Sequence, residues 1–167
     1  KTSSANNLKN LNKYKNFKFY KFNLEEKFNL KKKIDFCIHL AALNSVPRSF
    51  DYPSKVTKNN ILSFINVVLL CKNLKINKIV YASSSSVYGN STKKIKQENQ
   101  ILKPISPYAI SKVTNEQHAK IYSNKKMKIR GLRFFNIYGH NQKNDKKYSA
   151  VIPTWIDSLK KKNIIEV

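Results

Sequence analysis

The sequence predicts an α/β protein built on a doubly wound parallel sheet, and three observations carry that prediction. Residues 34–40 form a near-continuous apolar run, the composition of a strand covered on both faces, and 78–82 and 129–135 read as further strands. Helical stretches at 54–74 and from 107 onward separate them, and apolar strands that alternate with helices form parallel sheets. The chemically unusual segments, 41–46, 83–86 and 136–139, each fall at the carboxyl end of one of these strands, the edge where such sheets bind ligands.

Residues 1–16 are polar and rich in Asn and Lys, the makings of a loop or a short helix. Residues 17–22 alternate imperfectly between aromatic residues and Lys and read as a strand. Residues 23–30 read as a short helix, with Asn23 as its cap and acids in its first turn. The strand at 34–40 leaves through a loop over 41–48. Pro53 then opens the helix at 54–74, whose Val56, Ile61, Phe64, Ile65, Val68 and Leu69 form a wide apolar stripe. Strand 78–82 ends in four serines, Ser83 to Ser86, followed by Val87-Tyr-Gly89. A polar excursion over 90–103 leads to Ser106 and Pro107. Serine suits a helix cap and proline the first helical position, so a helix begins there. Strand 129–135 runs into Asn136-Ile-Tyr-Gly139 and a polar loop, and a last helix starts at 151–159.

The 167 residues are one domain's worth of chain, and a hydrophobic fraction of 41% supports a folded core. The net charge of +24 raises nucleic acid as a partner. Against it, the arginines are only Arg48, Arg130 and Arg133, and the lysines spread along the whole chain instead of gathering into a stripe. The expectation is therefore no nucleic acid. Cys37 and Cys71 lie in apolar runs without CxxC spacing, which suits reduced interior thiols of a cytoplasmic protein and no metal site. His39 reads as an interior histidine. No apolar run reaches transmembrane length, so no membrane is expected.

Tyr108 and Lys112 stand four residues apart in the helix that opens at Pro107, which puts both on one face about a turn from each other. A phenol beside a fixed ammonium has its ionised form favoured, so the Tyr108 pKa is expected to move down toward neutrality, where it can accept and return a proton.

Four motifs then stand in a familiar order and spacing: His39-Leu-Ala-Ala42, Ser83-Ser-Ser-Ser-Val-Tyr-Gly89, Pro107-Tyr-Ala-Ile-Ser-Lys112 and Arg133-Phe-Phe-Asn-Ile-Tyr-Gly139. From about residue 17 to its end the chain resembles the extended short-chain dehydrogenase/reductases, in their nucleotide-sugar epimerase/dehydratase branch. Ala41-Ala-Leu-Asn-Ser-Val-Pro-Arg-Ser49 and Ala150-Val-Ile-Pro-Thr-Trp155 are most similar to UDP-N-acetylglucosamine 4-epimerases.

The resemblance implies a Rossmann-like sheet, NAD as cofactor and a UDP-sugar as substrate. Tyr108 becomes the acid/base, with Lys112 holding the nicotinamide ribose. Ser84 becomes the hydroxyl that hydrogen-bonds the reacting sugar oxygen, and Ser85 is a close second because the run permits a one-residue register error. Leu40, Ala41, Ala42, Asn60, Ala82, Ser83 and Phe135 are implied to line the cofactor with Tyr108 and Lys112. Ser45, Ser84, Ser86, Asn136, Ala150, Val151 and Trp155 are implied to line the substrate. The implied reaction is epimerisation at C4 through a 4-keto sugar, since Ser85 and Ser86 stand where the family's 4,6-dehydratases carry Asp-Glu. Dehydration, net reduction of a keto sugar, or a non-catalytic Lys-rich module are the alternatives. Residues 1–148 are expected to form a partial NAD-binding domain and 149–167 to start the substrate region, with the helices at 54–74 and 107 pairing into a homodimer as in relatives.

The chain departs from the pattern in lacking the family's Gly-x-x-Gly-x-x-Gly turn, which seats a pyrophosphate on a helix N-terminus. Its three glycines are Gly89, Gly131 and Gly139. The first strand–helix–strand unit and most of the sugar-binding region are also missing. The chain is therefore expected to be an internal stretch of a longer enzyme, with weak or no NAD binding as it stands. Ser63 replaces a usual Gly, and Asn23 an Asp.

Overall fold

The computed structural model describes residues 5–139, 142 and 151–161. The chain divides into two compact units, Phe22–Phe135 and a smaller one made of Lys1–Lys21 with Asn136–Val167. In chain order the elements are α1 (Ala5–Leu11), β1 (Cys37–His39), α2 (Val46–Asp51), α3 (Pro53–Asn73), β2 (Lys78–Ala82), a 3₁₀ turn (Ser85–Tyr88), α4 (Pro107–Tyr122), β3 (Lys128–Leu132) and α5 (Val151–Lys160).

The larger unit is the expected parallel α/β sheet, ordered β1-β2-β3. Cys37 pairs with Ile79 and Ile79 with Ile129; one pleat on, His39 pairs with Tyr81 and Tyr81 with Gly131. These rows share a face. Helices α3 and α4 pack on each other, and Phe64, Val67, Val68 and Cys71 of α3 join Ala119 of α4 over Ile79, Tyr81 and Ile129. The Phe64 ring lies 6.0 Å from His39 and 4.8 Å from Tyr81. The alternate positions face the other way. Ile38 is 62% exposed, so the run at 34–40, expected to be covered on both faces, is covered on one among the described residues, and Leu132 of β3 is 46% exposed on the same side.

Helix α4 starts as the sequence predicts: Ser106 Oγ accepts the Ala109 amide at 3.1 Å and Pro107 follows the cap. Helix α3 ends on Lys75, which is left-handed at φ 58°. The Ile76 amide donates to the Cys71 carbonyl (2.8 Å) and the Lys75 amide to the Lys72 carbonyl (3.2 Å), a closure usually given to glycine. Ser63 is accommodated because its hydroxyl donates back to the Asn59 carbonyl one turn earlier.

Three expectations are corrected. Residues 17–22 form no strand, because a strand exists only within a ladder and no described strand pairs with them. Residues 23–30 make one turn and no helix. Asn23 Oδ1 accepts the Glu25 amide and its carbonyl the Glu26 amide, so the side chain closes a local turn instead. The loop over 41–48 contains the start of α2, capped by Ser45, whose Oγ accepts the Arg48 amide at 3.2 Å. No described helix is long and apolar enough to cross a membrane.

Candidate active site

The serine run at the end of β2 is anchored by backbone before any side chain acts. The Ser83 and Ser85 amides donate to the Leu132 and Phe134 carbonyls, at 2.9 and 2.8 Å, so pairing with the β3 chain continues past the regular strand. Ser84 is extended and caps the 3₁₀ turn, its Oγ accepting the Ser86 amide and donating to Ser86 Oγ, both at 3.1 Å.

Helix α4 brings Tyr108 and Lys112 to this point, and both are buried. The hydroxyl that reaches Tyr108 is that of Ser84. Lys112 Nζ donates to the Ala82 carbonyl at 2.8 Å and lies 5.7 Å from the centroid of the Tyr108 ring. Burial holds the Tyr108 phenol above its ordinary value, and the Ser84 hydrogen bond only partly offsets this. The expectation of a depressed phenol is therefore corrected: desolvation outweighs the Ser84 hydrogen bond, and the Lys112 ammonium is committed to a carbonyl. The same burial pushes Lys112 down to about 8. His39 is an interior, neutral histidine, pushed down to about 4 by burial and by the neighbouring Lys112 charge.

Asn60 is buried, and its amide is committed to structure. Oδ1 accepts the Leu43 amide at 2.8 Å, while Nδ2 donates to the Leu43 carbonyl (3.2 Å) and to Ser111 Oγ (3.1 Å). Ser111 Oγ in turn donates to the Tyr108 carbonyl at 2.7 Å. Asn60 thus clasps the loop that follows Ala41 and Ala42 to the first turn of α4. Ser83, expected at the cofactor, turns its hydroxyl to Glu116 at 2.6 Å. Ser45 spends its oxygen capping α2.

Leu40 and Ala41 are exposed at the end of β1, while Ala42, Ala82, Ser85 and Ser86 are half-buried. Phe135 is exposed, its ring 6.2 Å from that of Tyr88. Asn136, Val151 and Trp155 are exposed residues of the smaller unit. Ala150 and the boundary at 148/149 lie outside the described residues.

Sequence reasoning gave no role to Glu116 and Arg133. Arg133 Nε and Nη2 fork onto the two Glu116 oxygens at 2.9 and 2.8 Å, its Nη1 donates to the Glu98 carbonyl at 3.0 Å, and its guanidinium lies 4.9 Å from the Tyr88 ring centroid. Burial alone would raise the Glu116 carboxyl, but the Arg133 fork and the Ser83 hydroxyl hold it below its ordinary value. One signal for it existed: Glu116, among nine acids in the chain, falls four residues after Lys112 and eight after Tyr108.

A buried ammonium beside a phenol, with small alanines at the neighbouring strand ends, suits the ribose and ring of a nicotinamide dinucleotide. The pyrophosphate half has no counterpart, since the three glycines form no Gly-rich turn. The fit covers one end of the cofactor.

Comparison with known proteins agrees with this geometry. The sequence model of the NAD dependent epimerase/dehydratase family matches residues 1–167. A dTDP-D-glucose 4,6-dehydratase of Dictyostelium discoideum is 38% identical over 139 residues, covering 76% of this chain and 31% of its own. Among solved structures, the UDP-N-acetylglucosamine 4-epimerase of Methanobrevibacter ruminantium, in complex with UDP-N-acetylmuramic acid, is similar at a TM-score of 0.74 and 35% identity, over 77% of this chain and 42% of that one. An NAD dependent NDP-hexosamine 5,6-dehydratase of tunicamycin biosynthesis follows at 0.69 and 32%, over 76% and 41%. The chain thus spans less than half the length of each of these relatives.

Proposed function

Since the chain belongs to the NAD dependent epimerase/dehydratase family, we propose that its site serves epimerisation at C4 of a UDP-sugar, a UDP-N-acetylhexosamine, through a 4-keto intermediate. Lys112 and the alanines at the strand ends would hold the nicotinamide end of NAD, which would supply reversible hydride chemistry at the sugar carbon. Tyr108 holds the proton that leaves and rejoins the sugar 4-hydroxyl. Lys112, one turn on, with its ammonium 5.7 Å from the Tyr108 ring centroid, holds the ribose. Ser84, already hydrogen-bonded to Tyr108, steadies the sugar oxygen as charge develops on it. Ala41 and Ala42 leave room for the ring at the neighbouring strand end, and a homodimer through α3 and α4 belongs to the same reading.

The observation that favours epimerisation over water elimination is the fate of the carboxylates. Elimination needs an acid and a base at the sugar, yet the run beside Tyr108 carries Ser84, Ser85 and Ser86. Among the described residues, the carboxylate that approaches this run is Glu116, held in the fork with Arg133 and by Ser83.

Tyr108→Phe tests the reading. In the protein carrying this sequence, supplied with NAD and UDP-N-acetylglucosamine, the substitution is expected to lower C4 inversion about 10³-fold with an unchanged melting temperature. Proton NMR of the products distinguishes the galacto product from a dehydrated one. Unchanged turnover in Tyr108→Phe refutes the assignment.

A further inference from the structure

The Glu116–Arg133 pair lies one layer behind the candidate site, and nothing in the mechanism above uses it. Its geometry is that of a clamp. The fork joins α4 to the exit of β3, Ser83 Oγ ties the carboxylate to the serine run at 2.6 Å, and Arg133 Nη1 ties the loop over 90–103 at the Glu98 carbonyl. The side chains are 10% exposed for Glu116 and 18% for Arg133, and the flat guanidinium rests on Tyr88 of the 3₁₀ turn. Four separately folded segments therefore meet on one ion pair, and the carboxylate shares its helix with Tyr108 and Lys112.

We propose that Glu116 and Arg133 are positioning residues, which act through Ser83 to fix the Ser84 hydroxyl against Tyr108. The proposal rests on the reading of Ser84 and Tyr108 given above. A bidentate fork has one geometry, whereas a lysine–carboxylate contact has many. Ser84 adjoins the residue that the fork holds, so freedom at Ser83 passes directly to the hydroxyl that touches Tyr108. A misplacement of about 1 Å at such a group costs on the order of 10²-fold in turnover.

The test uses Ser83→Ala, Ser83→Thr, Glu116→Gln and Arg133→Lys in the protein carrying this sequence. Two readouts are needed: kcat and KM for UDP-N-acetylglucosamine with NAD, and hydrogen exchange at the Ser83 and Ser85 amides. Ser83→Ala and Glu116→Gln are each expected to lower kcat about 10- to 100-fold, with KM within about twofold and the double variant no worse than either single one. Ser83→Thr, which keeps the hydroxyl, restores most of the loss. Exchange at Ser83 and Ser85 rises about tenfold or more while Ile79 in β2 keeps its protection. Unchanged exchange at the serine run overturns the proposal whatever the activity, as do independent, multiplying losses in the double variant. If the wild type and Tyr108→Phe turn over alike, the reaction assigned above fails. Faster exchange in Glu116→Gln then still supports the clamp on the serine run.

Discussion

Helices α4 and α5 both carry residues that the sequence marks for a site, and their surroundings differ. Helix α4 is capped by Ser106, buries seven of its residues and holds Tyr108 and Lys112 among hydrogen bonds to Ser84, Ser111 and Ala82. Helix α5 buries none, and Val151, Ile152, Trp155, Ile156 and Leu159 all stand exposed. Tyr108 and Lys112 are thus fixed by packing within their own unit, while Val151 and Trp155 have no comparable packing among the described residues. Order at a site follows the number of elements that converge on it: α2, α3, β3 and the 3₁₀ turn all pack against α4.

The contrast can be broken by experiment. Phe64→Ala, beneath the sheet edge that supports α4, is expected to cost about 4 kcal/mol of unfolding free energy in denaturant titration, since Phe64 is wholly buried between rings. A loss below about 1 kcal/mol would show that the α4 surroundings are no better packed than those of α5. Next comes pH. His39 is depressed in the fold from 6.5 to about 4, so the unfolded chain takes up the proton first. Stability is therefore full above pH 6.5 and lost as pH falls toward 4, by about 3 kcal/mol in all. His39→Gln should flatten that part of the acid slope, and an unaltered slope would remove His39 from the account.

Lys112→Met should raise stability at pH 7 by about 1–2 kcal/mol while turnover collapses, because the buried ammonium is a cost borne by the fold. The Lys112 pKa is lowered from 10.5 to about 8, so the wild type recovers stability as pH rises between these values and the advantage of methionine shrinks there. Matching melts at pH 7 for both proteins would contradict this. At the bottom of the scale, Trp155→Ala should change unfolding by less than about 0.5 kcal/mol. A loss of several kcal/mol would show that α5 is as well packed as α4.

What was legible in the sequence follows the same division. Strand β2, the start of α4 and helix α3 could be read because local signals agreed with tertiary burial: an apolar run, a Ser-Pro cap, a wide stripe after Pro53. The segment at 17–22 misled because alternation shows a face and says nothing of a partner strand. Tyr108, Lys112 and Ser84 were found as neighbours, but the sign of the Tyr108 shift was not, since helical spacing shows a nearby charge and hides desolvation. Asn60 and Ser83 were identified as important, but their bonds to Leu43, Ser111 and Glu116 could not be read, because they cross from one element to another. Glu116 and Arg133 escaped notice for the same reason, being 17 residues apart in the chain and bidentate in space.

Gly89 has a consequence for how the chain tolerates change. At φ 49° it lies so close to the Lys103 carbonyl that a Cβ built there would meet the oxygen at 1.5 Å. The excursion over 90–103 therefore leaves and returns through one narrow neck, and its length is decoupled from the helix it precedes. Chain closure costs grow only logarithmically, about 0.6 kcal/mol for each doubling of a flexible loop. Insertions or deletions beyond that neck that spare Glu98, whose carbonyl Arg133 holds, are expected to leave Ser106, and with it Tyr108, in place. The neck thus separates the length of the loop from the register of the capped helix.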